Sequence, residues 1–264
     1  MKSIPLVLGS TKTILALKDA EGDGKSGDFD TQKMTMLDSA HYRCAGCGFQ
    51  SFSPSSAKSS AEKMKGGHLE LHHLDDDHDN NKPKNIAVLC SLCHSVFHCG
   101  VIDGRECGQI AYLPEISQAA LNLTFNAAAS MERPFTQRIE HFSHLIESSK
   151  NSVNADKDLQ DKRKYLLEYS MTMRDACVSA VNLMEIGKTR MVALFGEGAV
   201  NALVFAEILA EIAENNPAKY VKRETFLAPF RLVPSASFFK EQLTTWGENV
   251  WTPLLRDAEK IAAK

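Results

Sequence analysis

The sequence predicts an α+β protein: a small cysteine-anchored module up to about residue 113, then an all-helical remainder. Three observations carry this. Two Cys-x-x-Cys pairs, Cys44/Cys47 and Cys90/Cys93, bracket short β-prone runs in the first half. Apolar residues in the second half recur at helical spacing. The 264 residues are 44% hydrophobic and 24% charged, ordinary values for a folded chain and enough for one large or two modest domains.

Taken in order, Ile4–Leu8 and Thr13–Leu17 flank Gly9-Ser10 and predict a hairpin. Residues 19–30 form a Gly/Asp loop with acids at calcium-loop positions one, three and five, but it ends on Asp30 and lacks clear flanking amphipathic helices. It is read as a solvated loop. Residues 31–42 predict a short helix into the first cysteine pair, and residues 50–67, rich in Ser, Lys, Ala and Gly, an inserted loop. Strands are expected around Leu69 and Leu71 and over Ile86–Leu89, separated by the acidic turn Asp75–Asp77. A helix should open over Cys90–Phe97, a strand over Gln109–Leu113 should stop at Pro114, and a helix should follow from Ser117 to Met131.

Beyond that, Phe135, Ile139, Phe142, Leu145 and Ile146 form one apolar stripe. Val200, Leu203, Val204, Ile208 and Ile212 form a second, and Phe239, Leu243, Trp246, Val250 and Leu254 a third. Each is read as core or partner-facing surface. Residues 147–163, rich in Ser, Asn, Asp and Lys, read as a polar linker inside a second region, 114–264.

Thirty Lys and Arg against 33 Asp and Glu give a net charge of −3. A strongly basic nucleic-acid binder is therefore disfavoured for the chain as a whole. No run approaches the ~18 apolar residues of a spanning helix, and Ile4–Leu8 is short and contains Pro5, so secretory targeting is not expected. The expected compartment is the cytoplasm. There, two Cys-x-x-Cys pairs read as a metal site and not as disulfides. Tyr42-Arg-Cys-Ala-Gly-Cys-Gly-Phe49 has glycines where a tight knuckle needs them, and Leu89-Cys-Ser-Leu-Cys-His94 sets the second pair at a helix start, whose dipole favours thiolates. Cys44, Cys47, Cys90 and Cys93 are thus expected to hold one structural Zn²⁺ per chain. Such a closed four-thiolate site holds a fold and performs no chemistry. Cys99, Cys107 and Cys177 lack partner spacing and read as small buried hydrophobes.

Between and after the cysteines come Glu70-Leu-His-His-Leu74, Asn85, and Cys93-His-Ser-Val-Phe-His98. This order resembles the HNH (ββα, treble-clef-type) nuclease motif. The resemblance makes His73 the general base that would activate water and Asn85 the residue that ties the turn and orients that base. It makes His72, His94 and His98 ligands of a second divalent metal. His94 and His98 do fall one helical turn apart. The same histidines could instead pack around the knuckle or donate hydrogen bonds to its thiolates. Charge weighs against DNA: from Ala61 to His98 four lysines face six acids, a balance of −2, and no arginine lies between Arg43 and Arg105.

Three further strings narrow the resemblance: Ala111-Tyr-Leu-Pro-Glu-Ile-Ser-Gln118, Arg190-Met-Val-Ala-Leu-Phe-Gly-Glu-Gly198, and Phe230-Arg-Leu-Val-Pro-Ser235 with Phe239 and Trp246 beyond it. Together they resemble the IcmJ (DotN) family of type IVB (Dot/Icm-like) secretion and conjugation systems. The likeness runs from near the N-terminus to about Trp251, with 19–30, 50–67 and 147–165 as extra segments. It implies an HNH-like zinc module used as a scaffold. It also implies a place in the coupling complex, bound to the cytosolic tail of the coupling ATPase (DotL) beside other adaptor subunits and peripheral to the inner membrane. This chain departs from the family in keeping His72, His94 and His98 beside His73 and Asn85. Two classes of function follow: a non-enzymatic assembly subunit, or a metal-dependent HNH endonuclease that would contact DNA.

Overall fold

A computed structural model describes residues 5–9, 27–51, 68–75, 80–99, 108–149, 156–252 and 255–256. It is a mixed α/β fold with two small two-stranded sheets and a mainly helical C-terminal region. Helix α1 (Gly27–Ser39) buries Leu37 and delivers the chain to the first cysteine pair. Strands β1 (Leu69–His73) and β2 (Ile86–Cys90) pair antiparallel, Leu69 opposite Cys90 and His73 opposite Ile86. Every residue of β2 is buried, and α2 (Ser91–Phe97) follows it directly.

Strand β3 (Gly108–Tyr112) takes its partner from far along the chain: β4 (Phe230–Pro234), antiparallel, Gly108 opposite Pro234. No strand is expected from the sequence at Phe230–Pro234, which closes on a proline, a residue that weakens a strand reading. Between these strands run α3 (Gln118–Ser149) and α4 (Lys157–Phe195), helices of 32 and 39 residues. The two helices pack along each other. Shorter helices α5 (Ala202–Asn215), α6 (Pro217–Val221) and α7 (Glu224–Leu227) lead to β4, then α8 (Lys240–Trp246) and one π-helical turn, Gly247–Trp251.

Several expectations change. Pro5–Gly9 forms no strand; Gly9 instead donates to the Val96 carbonyl (3.1 Å) and accepts from Cys99 N–H (3.1 Å). Pro5 has no N–H to offer a ladder, and residues 10–17 lie outside the described residues. So do 19–26 of the acidic loop, 52–67 of the inserted loop, 76–79 of the acidic turn, and Cys107; residues 27–30 open α1. Of the polar stretch 147–163, residues 147–149 end α3 and 157–163 begin α4, where Asp156 Oδ1 caps the N–H groups of Asp158 (2.9 Å) and Leu159 (3.4 Å); residues 150–155 lie outside the described residues. Helix α3 does not stop at Met131 but continues through Pro134. Pro134 has no N–H for the Ser130 carbonyl, and Gly247 packs there so closely that a Cβ would meet that oxygen at 2.6 Å. On α5 the buried face is Ala202, Ala206 and Leu209, whereas Val204 (41%) and Ile208 (52%) of the expected stripe are exposed.

One continuous core joins Leu37, Phe49, Leu89, Val96, Leu121, Phe125, Leu232 and Trp246, so residues from both sides of position 113 pack together. Phe49 beside the first cysteine pair meets Trp246 edge-on at 5.1 Å between ring centroids. Among the described residues no helix is long and apolar enough to cross a membrane.

Candidate metal centre

The first cysteine pair sits in a turn closed by backbone bonds: Cys44 N–H to Phe49 O (2.8 Å), Gly48 N–H to Cys44 O (3.0 Å), and the Arg43–Gln50 bridge beyond. Gly48 has φ +80, a left-handed conformation that suits glycine. Gly46 N–H points at Cys44 Sγ (3.3 Å), and Ala45 N–H binds Val88 O (2.8 Å), which ties the turn to β2. The second pair enters from the end of β2 and the first turn of α2. All four cysteines are buried, and their sulfurs lie within 4.8 Å of one another. Cys47 and Cys90 sulfurs are 3.7 Å apart. A zinc–sulfur bond of about 2.3 Å implies a tetrahedral edge of about 3.8 Å, so the cluster has the size of a zinc–thiolate site.

Ionisation in this pocket is coupled. Burial, with the neighbouring sulfurs, pushes the thiols of Cys90 and Cys93 well above the ordinary cysteine value. Burial opposes ionisation of Cys44 too, but hydrogen bonds from Cys47, Cys90 and Cys93 hold its thiol well below that value. Cys44 takes the first negative charge, and Cys90 and Cys93 resist the next. A divalent cation is what would let all four ionise together.

The histidines form a second cluster. His72 on β1 and His94 and His98 on α2 bring ring nitrogens within 4.8 Å of one another. His94 and His98 meet Nε2 to Nε2 at 2.9 Å, and His72 stacks on Phe97 at 4.3 Å. Glu70 Oε2 lies 2.6 Å from His94 Nδ1. Burial would raise the Glu70 carboxyl, but His94, Ser91 and Lys33 hold it at about 2. A carboxylate on Nδ1 leaves the His94 Nε2 free to face its neighbours. The sequence reading counted Glu70 only as charge; its place two residues before His72, on the same strand face, was the available signal.

His73 does not join that trio. It follows His72 on the strand, so it points to the other face, and its Nε2 lies 2.9 Å from Asn81 Oδ1. Asn85 Nδ2 donates to Asp75 Oδ1 (2.7 Å) and to Asn80 O (2.9 Å), while its backbone carbonyl accepts from Leu74 N–H (2.8 Å). It ties the connection between β1 and β2, immediately beyond His73. Cys99 is fully buried, its thiol directed at Val96 O (3.3 Å), and Cys177 is half-buried against Met131.

Side chains absent from the sequence reading also reach the sulfurs. Asn122 and Asn126 of α3, both 0% exposed, direct their amide nitrogens at Cys93 Sγ (3.3 Å) and Cys47 Sγ (3.7 Å). Amides at i and i+4 on an otherwise apolar helix face were the legible sign.

No protein-family model matches the chain. A curated relative does: the type 4 apparatus protein DotN of Legionella pneumophila, 22% identical over 220 residues, 83% of this chain and 78% of that protein. The aligned span is too long for the cysteine pairs alone to produce, and it takes in most of both chains. Over that span the chain is similar to a DotN (IcmJ) protein.

Proposed function

We propose that this protein is a non-enzymatic, zinc-binding subunit of a type IVB secretion or conjugation coupling complex. In this reading it binds the cytosolic tail of the coupling ATPase and other coupling-complex subunits, and it helps recruit substrates. The observation that carries the proposal is the likeness to a type 4 apparatus protein across most of both chains. Cys44, Cys47, Cys90 and Cys93 hold one Zn²⁺, which staples together an HNH-like, treble-clef-type module (residues 1–113) that a helical region (114–264) follows. Sulfur spacing and burial support that assignment. Exposed apolar side chains on α4 and α5, Leu183 (61%), Leu194 (58%), Phe195 (55%) and Ile208 (52%), support an interaction role. The protein is cytoplasmic and reaches the inner membrane only through the complex. The test is co-elution of the zinc-loaded full chain with the purified tail of the coupling ATPase. Binding near one to one is expected, with about one zinc per chain; a folded, zinc-loaded chain that ignores the tail refutes the reading.

A second reading, a metal-dependent HNH endonuclease with His73 as base and Asn85 as its orienting residue, is favoured by the convergence of His72, His94 and His98. The −2 balance of residues 61–98 opposes it, since duplex binding draws on Lys and Arg at phosphates. Plasmid incubated with Mg²⁺, Mn²⁺ or Ni²⁺ should stay intact. Nicking by the wild type that disappears in His73→Ala would replace the first reading with the second.

A further inference from the structure

Helix α3 buries three amides on one stripe, Gln118, Asn122 and Asn126, at i, i+4 and i+8. Burying an amide costs free energy unless its hydrogen bonds are met, so the partners indicate what the stripe serves. Gln118 grips β4 through both ends of its side chain: Oε1 accepts from Leu232 N–H (2.8 Å) and Nε2 donates to Leu232 O (2.8 Å). That orientation fixes the next residue, because Gln118 Nε2 also donates to Asn122 Oδ1 (2.8 Å). With its carbonyl taken, Asn122 turns its NH₂ to Cys93 Sγ. Asn126 repeats the arrangement: Oδ1 accepts from Gln242 Nε2 of α8 (2.9 Å), and Nδ2 faces Cys47 Sγ. Each of the two asparagines serves one cysteine, from a different Cys-x-x-Cys pair.

We infer that Asn122 and Asn126 are outer partners of the metal site, N–H donors that neutralise thiolate charge from the C-terminal helices and make metal retention depend on their docking. A neutral thiol has little use for two buried donors, whereas four thiolates on one Zn²⁺ carry excess negative charge in an apolar setting. The stripe also connects the sulfurs to β4 through Gln118 and to α8 through Gln242. Loss of the metal would weaken the acceptors of two fully buried amides and loosen α3 against both elements. By linkage, whatever orders those helices tightens the metal. This inference rests on the reading of the four cysteines as a zinc site.

The test uses the full chain loaded with Zn²⁺, Co²⁺ or ¹¹³Cd²⁺. Asn122→Leu and Asn126→Leu should release zinc to a chromophoric chelator about 10–100-fold faster, the range found when partners of metal ligands are removed. Their thiolate-to-cobalt charge-transfer bands should move to lower energy, because sulfurs without donors are more electron-rich. Leu121→Ala, on the same helix but without a side-chain hydrogen-bond donor to lose, should lose stability without moving that band. In ¹¹³Cd-loaded wild type, which needs no variant to fold, scalar coupling should link the metal to the Asn122 side-chain amide protons. Unchanged release and band in both Asn variants overturn the inference, as does absence of metal coupling to both amides. A wild-type chain that takes up no stoichiometric metal instead overturns the zinc reading beneath it.

Discussion

Gly187→Ala is a substitution whose sign the structure decides. In an exposed helix interior the change would stabilise by about 1 kcal/mol, because alanine is the better helix former. Gly187 sits deep in α4, however, where the helix passes over β3. A Cβ there would stand 2.5 Å from Leu113 Cγ, 2.8 Å from Leu113 Cδ1 and 2.9 Å from Ala111 Cβ. Leu113 is 6% exposed and Ala111 fully buried. Two of those atoms lie close to the backbone, so a side-chain rotation cannot clear the overlap; helix and strand must separate. Overpacking of this kind costs about 1–3 kcal/mol, and more where backbone must shift. Because helix and strand must separate, the upper part of that range, about 2–3 kcal/mol, applies; less the propensity gain this leaves a net loss of roughly 1–2 kcal/mol, at about 2–4 °C of Tm per kcal/mol for a chain of this size. Denaturant and thermal unfolding of the metal-loaded protein measure it, with Gly198→Ala, where a Cβ meets nothing within 4 Å, as the neutral control. A Gly187→Ala protein as stable as wild type, or more so, would refute the close approach of α4 to β3.

Cys93→Ser should abolish stoichiometric zinc binding and cost more than an ordinary core substitution, since a structural zinc contributes on the order of 10 kcal/mol to folding; chelator titration followed by circular dichroism checks it, and full retention of metal counts against the four-sulfur site. Tyr42, buried and donating to Asp38 Oδ1 (2.8 Å), has its hydroxyl pushed up from 10.0 to about 12, by burial first and then by Asp38. The unfolded chain gives up this proton near pH 10 and the folded chain near 12, so stability present below pH 10 declines between those values by on the order of 2 kcal/mol. Tyr42→Phe should flatten that alkaline limb in urea melts taken from pH 8 to 11.5; an unchanged slope would contradict the buried hydrogen bond.

Much of the module was legible because its signals are local. The Cys-x-x-Cys spacing, the glycines at 46 and 48, the apolar run of β2 and the one-turn separation of His94 and His98 all report on residues close in sequence. On α5 only the fold could choose between core and outward face: apart from the face of Glu207, Glu211 and Glu214 the helix is apolar, so periodicity could not choose between Val204 with Ile208 and Ala206 with Leu209. The length of α3 was misread because Pro134 looks like a stop, whereas packing of Gly247 against the Ser130 carbonyl accommodates it in the fold.

By itself, then, the sequence determined the elements whose chemistry is written in short spacing: a four-cysteine cluster, the strands and helix that carry it, and the family strings that run beyond it. Tertiary structure alone decided what that cluster touches. Pairing of β3 with a strand more than a hundred residues away, the approach of α4 over Gly187, and the amides of α3 at the sulfurs depend on side chains meeting across the core. Such meetings leave no period along the chain, because each is selected by the shape and hydrogen-bonding need of a partner that only folding brings near.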